Sequence, residues 1–308
     1  MRVVVVGYGI QGRKRGRVAG SDLVATVDPV NMEADVRSID DVPVASWDAA
    51  LLCTPDAPKV ALIERLLEQG KHVLVEKPLF ADRAQLDHLG ALAGRKGVVC
   101  YTAYNHRFEP HFIRLKQAIG AGRLGKIYAA RFYYGNGTVR DVRNSAWRDK
   151  GGGVVPDLAS HLFDTALYLF NCRDASFQLW SAQRFESRAF DHAVFGTAKG
   201  APTFEMTVSL LSWRNHFTAD VYGEEGSAHI SSLCKWGPST FTLRNRVLPS
   251  GRPDEDGVTL VQADPTWKAE YAHFKALCAA GGPSNTDNDI WIQSRLDELS
   301  VGFARFPP

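Results

Sequence analysis

The feature that most constrains the fold is a glycine-rich turn between a short apolar strand and a helix-like stretch. The β-branched run Arg2–Val6 leads directly into Gly7-Tyr8-Gly9-Ile10-Gln11-Gly12. The pattern G-x-G-x-x-G is weak evidence alone, but here it follows a strand and opens a helix. The first glycine allows a tight turn, the second allows close approach of a pyrophosphate, and the third allows close helix–strand packing. The sequence therefore predicts cofactor contacts from Gly7, Gly9, Ile10, Gln11 and Gly12.

A carboxylate follows the second predicted strand. The run Leu23–Val27 ends at Asp28, 16 residues after Gly12. A carboxylate in this place can accept hydrogen bonds from both adenosine ribose hydroxyls and would repel a 2′-phosphate. NAD is therefore the predicted cofactor, and NADP stays possible because Arg13 offers a contact to a 2′-phosphate. The alternative is a glycine turn that binds no nucleotide, with Asp28 as an ordinary turn residue.

The first third of the chain alternates short apolar strands with amphipathic stretches. After the two strands above, the pattern gives strands at Ala49–Thr54, Val73–Val75 and Val98–Tyr101, and helices at Lys59–Gln69 and Arg83–Arg95. This alternation predicts an α/β fold, a Rossmann domain with a doubly wound parallel sheet over residues 1–105. Between Asp28 and Asp48 only a weak helical stretch near residues 31–36 is visible. The second βαβ unit is therefore predicted to be trimmed to a loop or a single turn.

Residues 106–308 have a different pattern, with long alternating stretches that are typical of antiparallel strands with one buried face. These stretches are Lys126–Tyr134, Phe177–Glu186, Thr203–Trp213 and Phe217–Tyr222. Helices are predicted after Pro110, over Val155–Phe170 and over Ile290–Phe303, and residues 238–257 are predicted to form a long hairpin or a surface loop. The prediction is a C-terminal α+β domain with a large, mostly antiparallel open sheet. Its final helix is a candidate for packing back on the first domain.

Two clusters carry candidate chemistry. Glu76-Lys77-Pro78 follows a predicted parallel strand, and ligands of open parallel sheets bind beyond the carboxyl ends of the strands. Downstream, three glycines precede a helix on which Asp157 and His161 are four residues apart and share a face. A histidine beside a carboxylate at a glycine-rich helix start is a reasonable acid/base pair. The alternatives are a surface lysine and a buried core histidine.

Composition excludes several classes of protein. The formal net charge of +2 over 308 residues is too small to suggest binding to nucleic acid or to a membrane surface. Five cysteines, far apart and odd in number, argue against a disulfide framework and favour a reducing, cytoplasmic location. No metal site is predicted, and no apolar run approaches the roughly 20 residues of a spanning helix.

The motifs together resemble the glucose–fructose oxidoreductase / inositol dehydrogenase / MocA (Gfo/Idh/MocA) family. The resemblance rests on the glycine turn, on Glu76-Lys77-Pro78, on the segment from Tyr104 to Pro110 and on the block from Gly151 to Asp164. It implies an NAD(P)-dependent oxidoreductase that transfers a hydride between nicotinamide and a secondary alcohol or ketone. The substrate would be a sugar, polyol, sugar acid or nucleotide sugar, and the assembly a homodimer or homotetramer.

The resemblance also implies roles for individual residues. Lys77 would hydrogen-bond the reacting hydroxyl and help to relay its proton, His161 would be the general base, and Asp157 would orient substrate or histidine. The cofactor contacts on the nicotinamide side would be Thr54, Pro55, Glu76 and Lys77, and the residues near the substrate would include Asn105 and Arg107. Three departures from the family pattern are Ala159 in place of a glycine, Lys59 in place of a histidine, and the shortened second βαβ unit.

The segment before the three glycines is rich in arginine and adds candidate substrate contacts. Trp147 would stack on an apolar sugar face, and Arg148, with Arg140 and Arg143, would suit a carboxylate or a phosphate. The alternative is a solvated loop. Two other functions stay open, a dinucleotide-binding sensor and a redox-neutral enzyme with tightly bound NAD.

Overall fold

The computed structural model describes residues 1–145 and 148–306, and the chain divides into two compact units. Unit 1 consists of Met1–Asn105 and Thr266–Gln293, and unit 2 consists of His106–Pro265 and Ser294–Pro308.

The strands are β1 (Val3–Val6), β2 (Leu23–Val27), β3 (Ala49–Leu52), β4 (His72–Glu76), β5 (Cys100–Ala103), β6 (Ile127–Gly135), β7 (Ser176–Gln183), β8 (His192–Lys199), β9 (Thr203–Ser209), β10 (His216–Gly223), β11 (Gly226–Ser231), β12 (Ser239–Asn245) and β13 (Glu255–Leu260). The α-helices are α1 (Ile10–Ala19), α2 (Lys59–Glu68), α3 (Arg83–Lys96), α4 (Pro110–Gly120), α5 (Val139–Arg143), α6 (Ser160–Phe170), α7 (Thr266–Ala280) and α8 (Thr286–Val301).

Unit 1 contains a five-stranded parallel sheet in the order β2-β1-β3-β4-β5. The predicted Rossmann fold is confirmed. The chain crosses from β1 to β2 on one side and returns to β3 on the other, so the strand order reverses between β1 and β3. In open α/β sheets this reversal point, at the carboxyl ends of the strands, is where ligands bind.

The sheet of unit 1 is covered on both faces, which explains why its strands are apolar throughout. One face packs on α2 and α3 through Ile63, Leu66 and Leu89. The other face packs on residues of α1 and α7, among them Tyr271 and Phe274. The sequence analysis did not predict α7, although Trp267, Tyr271 and Phe274 follow a helical spacing.

The second βαβ unit is trimmed, as predicted. Between β2 and β3 the described chain has an isolated bridge and two 3-10 turns, Ile39–Asp41 and Val44–Ser46. The weak helix expected near residues 31–36 is absent. Side chains of Asp28 and Asn31 accept hydrogen bonds from backbone N–H groups of this segment, and such local bonds compete with helix formation.

Unit 2 contains an eight-stranded sheet in the order β13-β12-β11-β10-β6-β9-β8-β7. The β6–β9 pair is parallel and the other pairs are antiparallel, so the predicted C-terminal sheet is confirmed. Phe217 of β10 packs on Phe112 of α4, and Phe177 of β7 packs on Phe163 of α6. Of the two options for residues 238–257, the hairpin is correct, since β12 and β13 pair with each other.

Two structural properties of the described residues bear on the class of protein. In the described ranges, no helix combines the length and the apolar character that crossing a membrane requires. The same part of the chain contains no group of three or more His, Cys, Asp or Glu residues arranged to hold a metal ion.

Candidate functional site

The glycine turn of unit 1 has the conformation that a nucleotide-binding turn requires. Gly7 has φ +90°, and a Cβ atom on it would lie 2.7 Å from the carbonyl carbon of Cys53. A Cβ atom on Gly12 would lie 1.9 Å from the carbonyl oxygen of Gly7. At Gly9, in contrast, a Cβ atom would meet no described atom within 4 Å other than those of its neighbours along the chain. The protein itself needs no glycine at this position, and the open space fits a ligand that approaches the backbone closely.

Helix α1 begins directly after this open position. In the described chain no side chain caps the helix at Gly9, and its first turn has no acidic residue. Ile10 is 85% exposed and Gln11 is also exposed. A helix N-terminus with this surface attracts anions such as phosphate, in line with the contacts predicted for Ile10 and Gln11.

Asp28 joins the end of β2 to the glycine turn. Its carboxylate accepts hydrogen bonds from the backbone N–H groups of Tyr8 (2.7 Å), Val30 (2.9 Å) and Asn31 (2.8 Å). Burial alone would raise the pKa of Asp28, but these three bonds outweigh it and hold the pKa below its ordinary value. A carboxylate has about four acceptor positions. Asp28 therefore stays ionised and keeps acceptor capacity for a ribose hydroxyl.

Two arginines lie near Asp28, and both have partners in the protein. Arg13 is the residue because of which NADP stayed possible as the cofactor. It forms an ion pair with Glu33, and its guanidinium carbon lies 5.5 Å from the centre of the Tyr8 ring. Arg37 donates to the carbonyl oxygens of Asp28 and Asn31, at 3.3 and 2.6 Å. Arg13 thus has a carboxylate partner on the surface of the protein.

The Thr-Pro segment follows β3, which lies beside β1 at the reversal point. The backbone N–H of Cys53 donates to the carbonyl oxygen of Val6 at 2.7 Å, which fixes the start of this segment. The hydroxyl oxygen of Thr54 is buried and has no hydrogen-bond partner among the described residues, and Pro55 is exposed. A buried hydroxyl left unpaired costs about 1–3 kcal/mol. The orphaned Thr54 hydroxyl is a second feature that fits a dinucleotide in the predicted place.

Glu76 and Lys77 lie at the carboxyl end of β4, and the peptide bond from Lys77 to Pro78 is cis. The carboxylate of Glu76 accepts a hydrogen bond from Nε of Arg15 at 2.7 Å. The same guanidinium, 1% exposed, donates from Nη2 to Glu270 at 2.7 Å. The predicted nicotinamide contact Glu76 is therefore also a member of a buried ion-pair cluster that the sequence analysis missed.

In unit 2, His161 lies in the first turn of α6 and is 7% exposed. Asp157 lies before it in a π-helical turn, Val155–Ala159, so the two residues are not on one regular α-helix as predicted. The carboxylate of Asp157 pairs with Nη2 of Arg148 at 3.8 Å. The wider π turn alters the phase between Asp157 and His161, because each residue turns the chain by less than in an α-helix.

Aromatic and basic residues that the sequence analysis missed surround His161. The His106 ring stacks on the His161 ring, with centroids 4.2 Å apart, and the Tyr134 ring meets His161 edge-on at 5.6 Å. Nζ of Lys235 lies 3.1 Å from Nε2 of His106, and the Trp236 ring lies 5.8 Å from that of Tyr134. In the sequence, the only signal that His106 belongs to the site is its place in the Tyr104–Pro110 segment. Lys235 and Trp236 belong to a short 3-10 turn without a motif.

Arg107 and Asn105, both predicted to lie near the substrate, have structural partners. Arg107 holds the buried carboxylate of Asp164 through Nε and Nη2, at distances of 2.6 to 3.0 Å. In unit 1 the side-chain amide of Asn105 donates to the hydroxyl of Thr266 at 2.8 Å. Each predicted contact thus has a packing role besides any contact to substrate.

The arginine-rich segment is only partly described. Arg140 and Arg143 lie exposed on the short helix α5, and Arg148 is half-buried beside Asp157. Trp147 lies outside the described residues.

Comparisons with known proteins agree with this geometry. Residues 1–104 match the family described as an oxidoreductase family with an NAD-binding Rossmann fold. Residues 112–229 match the GFO/IDH/MocA C-terminal domain. The first match confirms the NAD-binding character of the Rossmann unit. Both matches agree with the family resemblance identified from the motifs.

Individual relatives extend over much of the chain. The myo-inositol dehydrogenase Hyg17 of Streptomyces leeuwenhoekii is 32% identical over 283 residues, which cover 87% of this chain and 80% of that protein. An uncharacterized oxidoreductase of Escherichia coli (strain K12), YdgJ, is 30% identical over 55% of this chain and 54% of that protein. The chain spans about half the length of YdgJ and of several other relatives that it matches. A solved levoglucosan dehydrogenase in complex with NADH has a TM-score of 0.84 at 17% identity, covering 99% of this chain and 97% of that one, which shows a shared fold.

Proposed function

Because the chain belongs to the GFO/IDH/MocA family of oxidoreductases, we propose that it is an NAD-dependent dehydrogenase or reductase of a sugar-like substrate. NAD, when bound, supplies the acceptor or donor of a hydride, and the protein supplies orientation and proton transfer. The reacting group would be a secondary alcohol or ketone.

The observation that carries this proposal is the open space at Gly9. Gly7 and Gly12 are required by contacts inside the protein, whereas Gly9 is required by none within 4 Å. The ionised Asp28 and the orphaned Thr54 hydroxyl line the same end of the sheet, each at the carboxyl end of its strand. These features favour binding of a dinucleotide over a glycine turn that binds nothing.

The chain's own residues would move the proton. We assign Lys77 to hydrogen-bond the reacting hydroxyl at its Nζ atom, and His161 to accept the hydroxyl proton on a ring nitrogen. Asp157, paired with Arg148, would orient the substrate. A sensor that binds dinucleotide without reaction has no need of this proton path, so retention of Lys77 and His161 favours the enzyme.

The surroundings of His161 support a polyhydroxylated substrate. Lys235, His106 and the Arg148–Asp157 pair supply polar groups, and Trp236 supplies an aromatic face. A small apolar alcohol offers these residues a single hydroxyl. A sugar, polyol, sugar acid or nucleotide sugar offers several polar groups, which can hydrogen-bond to more than one of these residues at once.

The test is a panel of candidate substrates, each assayed with NAD for the formation of NADH. It contains inositols, free aldoses, sugar acids, nucleotide sugars and simple aliphatic or aromatic alcohols. Turnover of one polyhydroxylated class is the expected result, and turnover restricted to simple alcohols would contradict the proposal. Cofactor that stays bound through a redox-neutral reaction would appear as product formation without NADH release.

Assembly and location are also proposals. A homodimer or homotetramer, as the family resemblance implies, is testable by light scattering during size-exclusion chromatography. The scattered cysteines favour a cytoplasmic location.

A further inference from the structure

Lys59 is a buried cation at a place where a cation is unfavourable. It is the first residue of α2 and is 4% exposed. A helix N-terminus carries partial positive charge, and lysine is almost never fully buried unless it is paired. Its position therefore requires a compensating set of acceptors.

The ammonium of Lys59 has such a set. Nζ donates to the carboxylate of Asp56 at 2.7 Å and to the carbonyl oxygens of Glu76 and Pro78, each at 3.2 Å. An ammonium group has three N–H donors, and here it has three oxygen acceptors. A planar guanidinium or a neutral side chain would not reproduce this arrangement.

Two of the three acceptors flank Lys77 directly. Glu76 precedes Lys77 and Pro78 follows it, so the two bonds hold the backbone on both sides of that residue. The third acceptor, Asp56, lies in the loop that carries Thr54 and Pro55. Lys59 therefore ties the loop after β3 to the loop after β4.

The side chain of Glu76 is held independently. Its carboxylate is bound by Arg15, and Cys53 lies close enough to Arg15, Lys59 and Glu76 to be influenced by their charges. Burial, with the charge of Glu76, raises the pKa of the Cys53 thiol, so Cys53 stays neutral among these charged groups. The segment around Lys77 is thus fixed through its backbone by one buried cation and through its side chain by another.

We propose that Lys59 is a positioning residue that sets the orientation of Lys77 by holding the carbonyl groups before and after it. The assignment deepens the proposed dehydrogenase function and rests on it for its catalytic consequence. The mechanical part, that Lys59 fixes residues 76–78, is independent of any substrate.

The chain offers a matched control in the same unit. Lys71, just before β4, donates from Nζ to the carbonyl oxygens of Val44 and Trp47, each at 2.7 Å. It is likewise a lysine that holds two backbone carbonyls, but at the opposite end of β4 from Lys77. Lys59→Met and Lys71→Met therefore remove the same kind of interaction from two different loops.

The experiment combines hydrogen–deuterium exchange by mass spectrometry with steady-state kinetics. Lys59→Met should speed amide exchange in residues 76–80 about tenfold and leave residues 44–48 unchanged, and Lys71→Met should do the reverse. On whichever compound of the panel the wild-type protein oxidises best, Lys59→Met should lower kcat by about 10²-fold, with KM for NAD changed far less. Lys71→Met should keep kcat within about twofold.

The exchange measurement and the kinetic measurement distinguish failure of the positioning role from failure of the proposed function. Unchanged exchange in residues 76–80 of Lys59→Met would overturn the positioning role whether or not a substrate is found. Altered exchange with wild-type kcat would overturn the claim that Lys59 sets the orientation of Lys77 for catalysis. If the wild-type protein oxidises no compound of the panel, the proposed function fails while the exchange arm still decides the mechanical claim. If Lys59→Met does not yield folded protein, Lys59→Gln, whose amide has two N–H donors, replaces it in both arms.

Discussion

Arg15 and Glu76 form a buried ion pair, with Nε and Oε1 2.7 Å apart, that connects the helix of the glycine turn to the strand before Lys77. Glu270 of α7 binds the same guanidinium, although it is 255 residues away in the chain. The Trp267 ring lies 4.2 Å from the guanidinium carbon. Burial would lower the pKa of Arg15, but the two carboxylates outweigh it and raise the pKa, so the charge is permanent.

Loss of the cation should destabilise unit 1 strongly. Arg15→Met removes the guanidinium that binds the carboxylates of Glu76 and Glu270, and breaking a buried pair in this way costs about 3–5 kcal/mol. The free energy of unfolding, measured in urea, should fall by that amount. Arg17→Met, at an exposed position of the same helix, is the control and should change it by less than about 0.5 kcal/mol. Equal stability of the two variants would contradict the role given to Arg15.

The glycines of the turn should separate stability from binding. Gly9→Ala adds a Cβ atom that meets nothing in the protein, so the free energy of unfolding should change by no more than about 1 kcal/mol. NADH affinity, measured by fluorescence titration, should nevertheless fall by about tenfold or more, because the methyl group occupies the space for the pyrophosphate. Gly12→Ala should instead destabilise the fold, since its Cβ atom would lie 1.9 Å from a carbonyl oxygen. Unchanged NADH binding by Gly9→Ala would argue against the cofactor site.

Asp28 should decide cofactor choice. NAD should bind more tightly than NADP, and Asp28→Ser should narrow or reverse the preference, because the repelling carboxylate is removed. In a second variant, Glu33→Gln, the neutralising partner of Arg13 is lost, and NADP affinity should rise without loss of NAD affinity. Affinities for both cofactors are measured by titration with the two reduced forms. Equal affinity of the wild-type protein for NAD and NADP would count against Asp28 as the discriminator.

Asp28 should also make stability depend on pH. Its pKa is lowered in the folded state, so its contribution is complete above the unfolded value, about 3.9, and is lost as the pH falls through the folded value. Asp28→Asn should therefore be less stable than the wild type at neutral pH by about 1–3 kcal/mol, and the difference should vanish in acid. Asp87→Asn, at an exposed position, is the control. A difference that persists unchanged to low pH would show that the effect is not electrostatic.

The sequence predicted those parts of the molecule that local patterns determine. The parallel strands, the turn from Gly7 to Gly12 and the trimmed second unit follow from spacing along the chain. The partners of individual residues do not. Glu270 pairs with Arg15, Lys59 with the carbonyl groups of Glu76 and Pro78, and Lys235 with His106. These contacts exist only after folding. No periodicity signals such contacts, so the sequence gives no sign of the partners of Arg15 and Lys59.

Two other differences have local causes. The Asp157–His161 spacing assumed a regular α-helix, but Pro156 lacks an N–H group and lies in the π-helical turn. Arg107 was interpreted as a substrate contact from its motif, and the structure adds a second role, since it binds the buried Asp164. The bond between Arg107 and Asp164 could be identified only from the fold.

The central claim is that this chain is a dehydrogenase in which His161 accepts the proton of the substrate hydroxyl. The most direct measurement is the kcat of His161→Ala and Lys77→Ala on the best polyhydroxylated compound of the panel, together with NADH affinity. Each variant should lose about 10²-fold or more in kcat, and His161→Ala should bind NADH as the wild type does, since the glycine turn belongs to unit 1. Wild-type turnover by His161→Ala would contradict the account.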